Sequence, residues 1–521
     1  MDTQNHETRG ANVPTYLSPG VYMEEVSSGS KPIEGVGTAV AAFVGFAEEG
    51  AFNQPTLVTN WTQFVGNFGA FVEGSYLAHA VYGFFLNGGG SAYVVRIGAN
   101  GDADEPQLPT AGAELPPVEG DKPPFTVKAI EPGAEGDRIT VEVGKASEEG
   151  EDNFRLVVKK PGRQDEVFDN VTLSKGANNV VTKVKADSEL ISIQETRGTT
   201  VMPQAGTIEL SGGSLPVQVS VAPVDYIGDA ADRTGFAGLE AIENVTMLSV
   251  PDLMAAYERE LVDLEGVKAV QLAMIAHCEL MANRVAILDT PPGMNAQQVK
   301  AWRNEITGYD SKYATMYWPW IKVMDPVQGK GIYTPPSGSI AGVWARNDDT
   351  RGVHKAPANE VVRGVLDLEL NITKGEHDQL NPDGVNCIRS FPGQGVRVWG
   401  ARTLSSDPEW RYLNIRRLFN FVESSILGGT NWVVFEPNDP KLWDSVTRTV
   451  TMFLRRVWRD GALFGRTQAE AFFVKCDDEN NPPENRDAGI LTVEIGIAPV
   501  KPAEFVVFRI SQFNGGAGLE E

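Results

Sequence analysis

Cysteine is scarce in this chain of 521 residues, with only Cys278, Cys387 and Cys476 present. Three cysteines, each about a hundred residues from the next, match neither a disulfide framework nor a zinc-binding spacing. This scarcity predicts a protein that works in a reducing compartment.

Positive charge is also in short supply. Lys and Arg together number 45 against 69 Asp and Glu, which gives a formal net charge of −24 at pH 7. A protein that coats nucleic acid needs a basic face to displace counterions from the phosphates. The charge balance therefore excludes that class, and we expect no nucleic-acid partner.

Long apolar runs are missing as well. No window approaches the roughly 18 apolar residues of a membrane span, and the first dozen residues are polar, unlike a secretory signal. We therefore expect no direct membrane insertion. If the protein leaves the cell, we expect it to do so by lysis or as part of a particle.

The rest of the composition is that of a globular protein. Hydrophobic residues make up 42% of the chain and charged residues 22%, while 54 glycines and 32 prolines predict many turns and strands. The length predicts about three or four domains.

Residues 1–30 are expected to form an extended arm, because they are polar apart from one short apolar patch. That patch is too short to make a core of its own, so it needs a partner surface. It consists of Val21, Tyr22, Met23, Glu24, Glu25 and Val26.

Residues 31–97 and 236–404 alternate apolar runs with amphipathic segments. Such alternation is typical of a parallel sheet flanked by helices, so we predict one discontinuous α/β domain. The expected strands are 38–45, 93–96, 246–251, 284–291 and 313–320, and the expected helices are 76–86, 266–282 and 296–306.

The texture changes between residues 98 and 235. Short strand-like pieces begin near residues 125, 139, 154 and 166, each bounded by turn residues. Residues 100–235 carry 24 acidic and 13 basic side chains, a net charge of −11. We predict an inserted, acidic, all-β domain of sandwich type that faces outward.

Residues 405–502 are predicted to form an α+β C-terminal domain. Its expected helices are 409–427 and 439–460, and its expected strands are 470–476 and 490–497. A further strand pattern at 504–510 opens a C-terminal arm at 503–521, and it consists of Phe505, Val506, Val507, Phe508, Arg509 and Ile510.

Catalytic motifs are hard to find. Asp289, His354 and Ser405 follow the order of one Ser-His-Asp enzyme class, which leaves a cytoplasmic serine hydrolase as an alternative. No Gly-x-Ser-x-Gly elbow surrounds a serine, His354 lies in a polar stretch typical of a loop, and no Walker-type phosphate loop occurs. We expect no catalytic residue and no bound cofactor or metal.

The remaining histidines also favour structural roles. His277 lies on one apolar helix stripe with Val270, Met274 and Met281, which favours core packing. The group of His377, Asp378 and Cys387 has metal-ligand residue types but no known ligand spacing, so a loop is the default interpretation.

Residues 402–475 carry 11 basic against 8 acidic side chains, a net charge of +3 in a chain of −24. On the helix expected at 439–460, Arg448, Arg455 and Arg459 share the face opposite the apolar one. They could dock an acidic protein partner, or they could pair with Asp444 and Asp460 or remain solvated.

Short motifs in a fixed order along nearly the whole chain resemble the sheath proteins of contractile phage tails and related injection systems. They are SPGVY at 18–22, AFVG at 42–45, AYVVR at 92–96, YTPPSG at 333–338, LNPDGVN at 380–386, VWGART at 398–403, YLNIRR at 412–417, FEPND at 435–439 and APVKPAEFVVFRI at 498–510. Each motif is short, but the ordered set is highly specific.

The resemblance implies a subtilisin-like α/β domain without its active site, an inserted β-sandwich, and a C-terminal domain that faces an inner tube. It also implies that arms near residues 17–27 and 503–513 cross to neighbouring subunits and add strands to a sheet there. Another tail or baseplate component is the alternative among structural proteins.

The resemblance further implies stacked hexameric rings that contract from a metastable extended state and drive the tube through a target envelope. The expected partners are other copies of this chain, the inner tube protein, and baseplate and terminator or cap proteins. Arg448, Arg455 and Arg459 would contact the tube. Assembly is expected in the bacterial cytoplasm, followed by incorporation into a phage tail or a related injection particle.

Overall fold

The structure is a computed structural model, and it describes most of the chain. The described residues are 32–98, 110–118, 122–131, 133–148, 150, 152–196, 201–212, 221–326 and 329–509. The apolar patch at residues 21–26 and the arm residue Ile510 lie outside these ranges.

The strands of the described residues are numbered in chain order. They are β1 Val40–Gly45, β2 Thr56–Val58, β3 Ser91–Arg96, β4 Gly112–Leu115, β5 Phe125–Ala129, β6 Thr140–Lys145, β7 Asn153–Lys159, β8 Glu166–Thr172, β9 Ile191–Glu195, β10 Gly206–Glu209, β11 Met247–Ser249, β12 Val285–Asp289, β13 Ala314–Trp318, β14 Ile321–Asp325, β15 Lys330–Thr334, β16 Glu360–Val361, β17 Val365–Leu368, β18 Val385–Phe391, β19 Gly395–Val398, β20 Phe472–Lys475 and β21 Glu494–Ile497.

The α-helices are numbered in the same way. They are α1 Trp61–Phe68, α2 Leu77–Asn87, α3 Val180–Asp187, α4 Pro223–Ile227, α5 Asp252–Glu258, α6 Leu264–Met281, α7 Ala296–Ala301, α8 Ser337–Arg351, α9 Lys374–Leu380, α10 Leu413–Gly429, α11 Pro440–Arg459, α12 Gln468–Ala471 and α13 Pro483–Asp487. The helix predicted at 296–306 is α-helical only in α7, and it continues as a π-helical turn at Trp302–Thr307.

A nine-stranded sheet forms the centre of the fold, in the order β16-β19-β18-β13-β12-β11-β1-β3-β2. The six strands from β18 to β3 are parallel, and antiparallel strands extend both edges. This arrangement confirms the α/β prediction, because parallel strands covered on both faces produce the continuous apolar runs seen in the sequence.

The two faces of this sheet are covered by different helices. Ala42 and Val44 point into a core shared with α5, α6 and α7. Ala41 and Phe43, their neighbours along β1, point into a second core shared with α1, α2 and α8. The strand is therefore buried on both sides, as the run at 38–45 predicted.

Small residues let α2 and α8 approach closely. A β-carbon at Gly338 would come within 2.3 Å of the Cα of Ala80, and one at Gly342 would come within 2.4 Å of the carbonyl oxygen of Phe84. The glycines after Pro336 are thus explained by packing, since a larger side chain would force the two helices apart.

The inserted region folds around its own core. Two antiparallel sheets, β10-β6-β7-β8 and β4-β5-β9, share one apolar cluster. The expected strands at β5, β6, β7 and β8 are confirmed, but the all-β expectation was wrong, because helix α3 places Val180 and Val184 in this core. Val221 and Tyr226, which follow along the chain, pack instead into the core of the central sheet.

Helices α10 and α11 pack together in the C-terminal region around a further apolar cluster. A buried ion pair ties this region to the central sheet: Arg417 on α10 contacts Asp348 on α8 with nitrogen–oxygen distances of 2.9 and 2.5 Å. Thr38 donates to the same carboxylate.

Among the described residues, no helix combines the length and apolarity that crossing a bilayer requires.

Two expectations about loops and strands were wrong here. The polar stretch before His354 is helical as far as Arg351, because it forms the last turns of α8. Residues 504–509, the described part of the strand pattern at 504–510, pair with no strand of the same chain, so the pairing of this arm with a neighbouring subunit stays a prediction. The strand predicted at 490–497 begins only at Glu494.

Candidate functional site

Asp289, His354 and Ser405 are not brought together by the fold. The carboxylate of Asp289, at the end of β12, accepts the Ser337 backbone N–H at 3.0 Å and its hydroxyl at 2.5 Å. Ser249 in turn donates to the Ser337 hydroxyl at 2.9 Å. Asp289 therefore holds the first residue of α8, where a carboxylate also faces the positive end of the helix dipole.

The other two residues have separate local roles. The carbonyl of His354 accepts a hydrogen bond from Asn414 at 2.8 Å, and the hydroxyl of Ser405 accepts the Asp407 N–H at 3.1 Å. No hydrogen bond joins any two of the three candidates in the part of the chain that is described. The serine hydrolase alternative therefore has no geometric support.

Asp289 gives a testable pH dependence. Burial raises the pKa of its carboxyl to about 7, against the opposing effect of the two Ser337 donors. Folding therefore favours the protonated form, so its contribution to stability is complete below pH ~4 and is lost as the pH rises through 7. We expect Asp289→Asn to flatten the decline in melting temperature between pH 5 and 8, measured by circular dichroism. The same change at exposed Asp444 serves as the control, and an unchanged slope in the Asp289 variant would contradict the assignment.

His277 has the core role that its stripe predicted. It is buried, and its Nε2 accepts a hydrogen bond at 3.1 Å from Arg284, which can only donate. Burial and the neighbouring guanidinium lower the pKa of His277 to about 4. A neutral imidazole therefore completes a buried network in which Arg284 also donates to the carbonyls of Leu239 and Ile242.

His377 and Asp378 lie on helix α9, so the loop interpretation was wrong for them. The helix begins with a capping box in which Thr373 and Glu376 bond to each other's backbone N–H. Cys387 is buried on β18, and all three cysteines are free. Across the described ranges, no group of three or more His, Cys, Asp or Glu is placed to hold a metal ion.

Strands β20 and β21 form a small sheet with two open edges. Phe472 pairs with Ile497 and Lys475 with Glu494, and no third strand joins them among the described residues. Phe473 is 57% exposed on this sheet. Such edges present unpaired N–H and C=O groups that can accept a strand from another chain.

A firm anchor fixes the start of the C-terminal arm. Glu504 accepts two hydrogen bonds from Arg402, at 2.9 and 2.7 Å, one from Asn381 at 2.8 Å and one from Tyr412 at 3.0 Å. Although burial opposes ionisation, these donors together hold the pKa of Glu504 below its ordinary value. A bidentate Arg–carboxylate pair also fixes the direction of the chain.

The arm is exposed immediately after this anchor. Residues 505–508 form an apolar run whose side chains are between 69% and 83% exposed. Their backbone makes no hydrogen bond to another described residue. β-Branched and aromatic residues favour a pleated sheet. An exposed run of two phenylalanines and two valines without backbone hydrogen bonds is therefore a strand that lacks a pairing partner.

The first described residues of the chain lie beside helix α11. Ile33 is buried between α10 and α11, and Arg456 donates to its carbonyl at 3.0 Å. The arm residues Val21, Tyr22, Met23, Glu24, Glu25 and Val26 lie outside the described residues.

Helix α11 presents the basic face that its sequence predicted. Arg448, Arg455 and Arg459 are exposed, and within the described ranges none of them forms an ion pair with Asp444 or Asp460. Arg455 alone has a side-chain partner, the amide oxygen of Gln468 at 3.0 and 3.2 Å. The opposite face, including Val446, Val450, Phe453 and Val457, is buried.

Met452 also belongs to this face, although it was not predicted from the sequence. Met452 is 59% exposed and continues the spacing of Arg448, Arg455 and Arg459 at i, i+4, i+7 and i+11. An apolar side chain with arginines on either side is the composition of a protein-binding surface rather than of a solvated helix. The spacing that identified the arginines also contains this methionine.

Two family models match adjacent parts of the chain. The model described as phage tail sheath protein central domain matches residues 233–404, and the model described as phage tail sheath C-terminal domain matches residues 405–513. Together they cover more than half of the 521 residues. They place the chain among structural proteins of contractile tails.

Individual relatives agree with these models. The tail sheath protein of Burkholderia phage BcepMu is 24% identical over 94% of this chain and 95% of its own length. The fold is similar to the anti-feeding prophage helical sheath in its contracted state, with a TM-score of 0.58, 23% identity and coverage of 96% and 100% of the two chains. It is also similar to the PVC sheath complex of an extracellular contractile injection system, with a TM-score of 0.57, 21% identity and coverage of 96% and 99%.

The chain therefore belongs to the phage tail sheath protein family, and it is a subunit of a contractile sheath. This confirms the resemblance inferred from the ordered motifs.

Proposed function

We propose that copies of this chain form helically stacked hexameric rings around an inner tube and are linked by exchanged strands. Two features of the subunit carry the proposal. One is the exposed, unpaired apolar run at residues 505–508, and the other is the two-stranded sheet of β20 and β21, whose edges are open. A heterologous contact of this kind passes from each copy to the next, so it builds rings and helices rather than closed dimers.

The acceptor of the arms is the sheet of β20 and β21. One arm adds a strand beside β20 and the other adds a strand beside β21, which gives four strands from three subunits. The apolar face of this sheet already packs on α11 through Phe472 and Val474. Main-chain hydrogen bonds then supply affinity, while Phe505 and Phe508 contribute apolar contact area.

Contraction rotates subunits while the exchanged strands remain paired. The Glu504 anchor separates the exposed arm from the body, so the chain can turn after residue 504 without disturbing the core. The extended state is metastable, and the contracted state gains lateral contacts between subunits. A small gain per subunit is multiplied over the whole sheath, which requires no nucleotide.

The exposed face of α11 holds the extended sheath on the tube. Arg448, Arg455 and Arg459 face an acidic tube surface, and Met452 contacts an apolar spot on it. Exposed ion pairs are worth roughly 0–1 kcal/mol each, so releasing them on contraction costs little.

The other parts of the chain have supporting roles. The central α/β domain has a subtilisin-like layout and performs no catalysis, and the acidic inserted sandwich faces outward. Baseplate and terminator or cap proteins bind the ends of the sheath. Assembly takes place in the bacterial cytoplasm, before the sheath becomes part of a phage tail or a phage-tail-like injection particle.

Negative-stain electron microscopy of the purified protein tests this function. The full chain, alone or with tube protein, is expected to give hollow striated tubes. A variant lacking residues 1–27 is expected to give single subunits, because it lacks one donor strand. Discrete particles from the full chain even with tube protein present, or tubes from the deletion variant, would contradict the exchange of arms.

A further inference from the structure

Helix α6 has an apolar surface on the side that faces solvent. Its inner side packs into the core of the central sheet through Val267, Val270 and Met274. A surface helix normally carries charged and polar residues opposite such a core-facing stripe. The outer side of α6 instead carries exposed apolar residues together with two glutamates. This surface, called the α6 face, consists of Glu265, Ala269, Leu272, Ala276, Glu279 and Leu280.

The sheet of β14, β15 and β17 has an apolar surface of the same kind. Its inner positions, including Ile321 and Leu368, belong to the core on the other side of the central sheet. The solvent side of an antiparallel sheet normally carries polar residues, because side chains alternate between core and solvent along each strand. The solvent side of this sheet, called the outer sheet face, consists of Lys322, Met324, Tyr333, Leu366 and Asp367.

A β-bulge places Leu366 on the outer sheet face. The register of β17 shifts opposite Lys322 and Val323 of β14, so Leu366 is an extra residue there. Its side chain reaches across the sheet, because a β-carbon at Gly331 on β15 would lie 3.5 Å from the Cδ1 of Leu366. Leu366 is 56% exposed, and Met324, the cross-strand partner of Gly331, is 51% exposed. The bulge therefore adds a leucine to a surface that already exposes a methionine.

The α6 face is acidic. Glu279 forms no ion pair with another described residue, although its carboxylate accepts the Ser311 hydroxyl at 2.6 Å. Glu265 has only a loose pair, with the Nζ of Lys268 at 3.9 Å. Exposed pairs of this length contribute little, so both carboxylates are available to a partner.

The outer sheet face offers the opposite charge. Lys322 lies over the Tyr333 ring, 5.3 Å from its centroid, and forms no ion pair with another described residue. Arg363 is exposed just before β17 and is likewise without an ion pair in the described ranges. Asp367 is the one acidic residue of this face, so basic charge prevails. Opposite charges around apolar centres give two protein surfaces complementary potentials.

We propose that the α6 face of one subunit packs on the outer sheet face of the next subunit in the sheath. This inference rests on the proposed assembly into rings and names one contact within it. Packing a helix on a sheet buries the apolar surface of both. The two faces lie on opposite sides of the central sheet, so the contact is heterologous and passes from copy to copy.

The dimensions of the two faces match. Residues 265–280 of α6 span about 22 Å at 1.5 Å per residue. Three strands about 4.8 Å apart, each up to five residues long, give a surface of roughly 10 by 17 Å. Exposed Leu86 on α2 extends it, because a β-carbon at Gly364, next to β17, would lie 2.5 Å from the Leu86 side chain. The helix can therefore cross the whole outer sheet face.

Photo-cross-linking of assembled sheath tubes tests the contact. The photoreactive residue p-benzoylphenylalanine replaces Leu272 at the middle of the α6 face, and the links are located by peptide mass spectrometry. We expect links from position 272 to peptides of β14, β15 or β17. In an equal mixture of ¹⁵N-labelled and unlabelled protein, about half of these links should join the two isotopes, because the contact is between copies. The same group at Val167, 50% exposed on the inserted domain, is the control and should not link to these strands.

Charge reversal identifies what holds the two faces together. Lys322→Glu with Arg363→Glu, and separately Glu265→Lys with Glu279→Lys, should each reduce the link per subunit roughly tenfold, because like charges then meet across the contact. Combining all four changes should restore the link to within about twofold of its starting yield, since opposite charges face each other again.

The outcomes separate this contact from the assembly as a whole. Tubes that form without a link from position 272 to these strands, or links confined to one isotope, would overturn the contact and leave the ring assembly standing. Failure of the combined variant to restore the link would also overturn it. Single subunits from the unaltered chain, with tube protein present, would count against the assembly itself and therefore against this contact as well.

Discussion

Replacing Val506 and Val507 together by proline is expected to abolish sheath tubes while the subunit itself stays folded. Proline cannot donate a backbone hydrogen bond, and successive N–H groups of a strand point to opposite sides. The double change therefore removes the donor that faces the acceptor sheet whichever way the arm lies. Pelleting and negative-stain microscopy measure the loss.

We expect these prolines to change the stability of the folded subunit very little. Both valines are at least 69% exposed, and their backbone makes no hydrogen bond to another described residue. The melting temperature is expected to stay within about 1 °C of the starting protein, since exposed substitutions of this kind change stability little. Val506→Thr with Val507→Thr is the matched control, because threonine keeps the N–H and the strand preference. Full-length tubes from the proline variant would exclude strand donation by this segment.

The elements that could be predicted from the sequence are those whose spacing of apolar residues matches their burial in the folded protein. Strand β1 is buried on both faces, so its continuous apolar run predicts a buried strand without knowledge of its neighbours. Helix α11 has one buried and one exposed face, and its period of 3.6 residues showed both.

Short elements with a capping signal were missed although the signal is present. Helix α9 follows its N-cap Thr373, and Glu376 lies three residues after that cap, a capping box that the sequence displays. Helix α3 begins after Asn179, whose side chain accepts the N–H of Thr182. Both helices are of only seven or eight residues, and so short a stretch gives a weak periodic pattern.

The contacts that define the candidate site join residues far apart in sequence, so no local pattern could predict them. Asp289 holds Ser337, 48 positions away, and Glu504 is held by Arg402, 102 positions away. The strand pattern at 504–510 is a different case, because its predicted partner belongs to another subunit. Its pattern is that of a strand, but a strand requires a partner, and the described part of its own chain provides none.

Reversing Arg448, Arg455 and Arg459 to glutamate is expected to prevent the extended sheath from assembling on its tube. The three side chains share one exposed face of α11, and the change shifts the charge of that face by six units. An acidic tube surface would then repel the subunit, and like-charge contacts across an interface strongly suppress association. Co-sedimentation of sheath with preformed tube, followed by microscopy, measures the effect.

A charge-matched control separates this face from overall charge. Arg163, Lys175 and Lys185 are exposed on the inserted domain, and their reversal to glutamate changes the net charge by the same six units. That variant should assemble normally, because the inserted domain is proposed to face away from the tube. Attachment of the unaltered protein should weaken as salt rises toward 1 M, since exposed ion pairs are screened. Normal extended particles from the α11 variant would show that something other than this face holds the sheath on the tube.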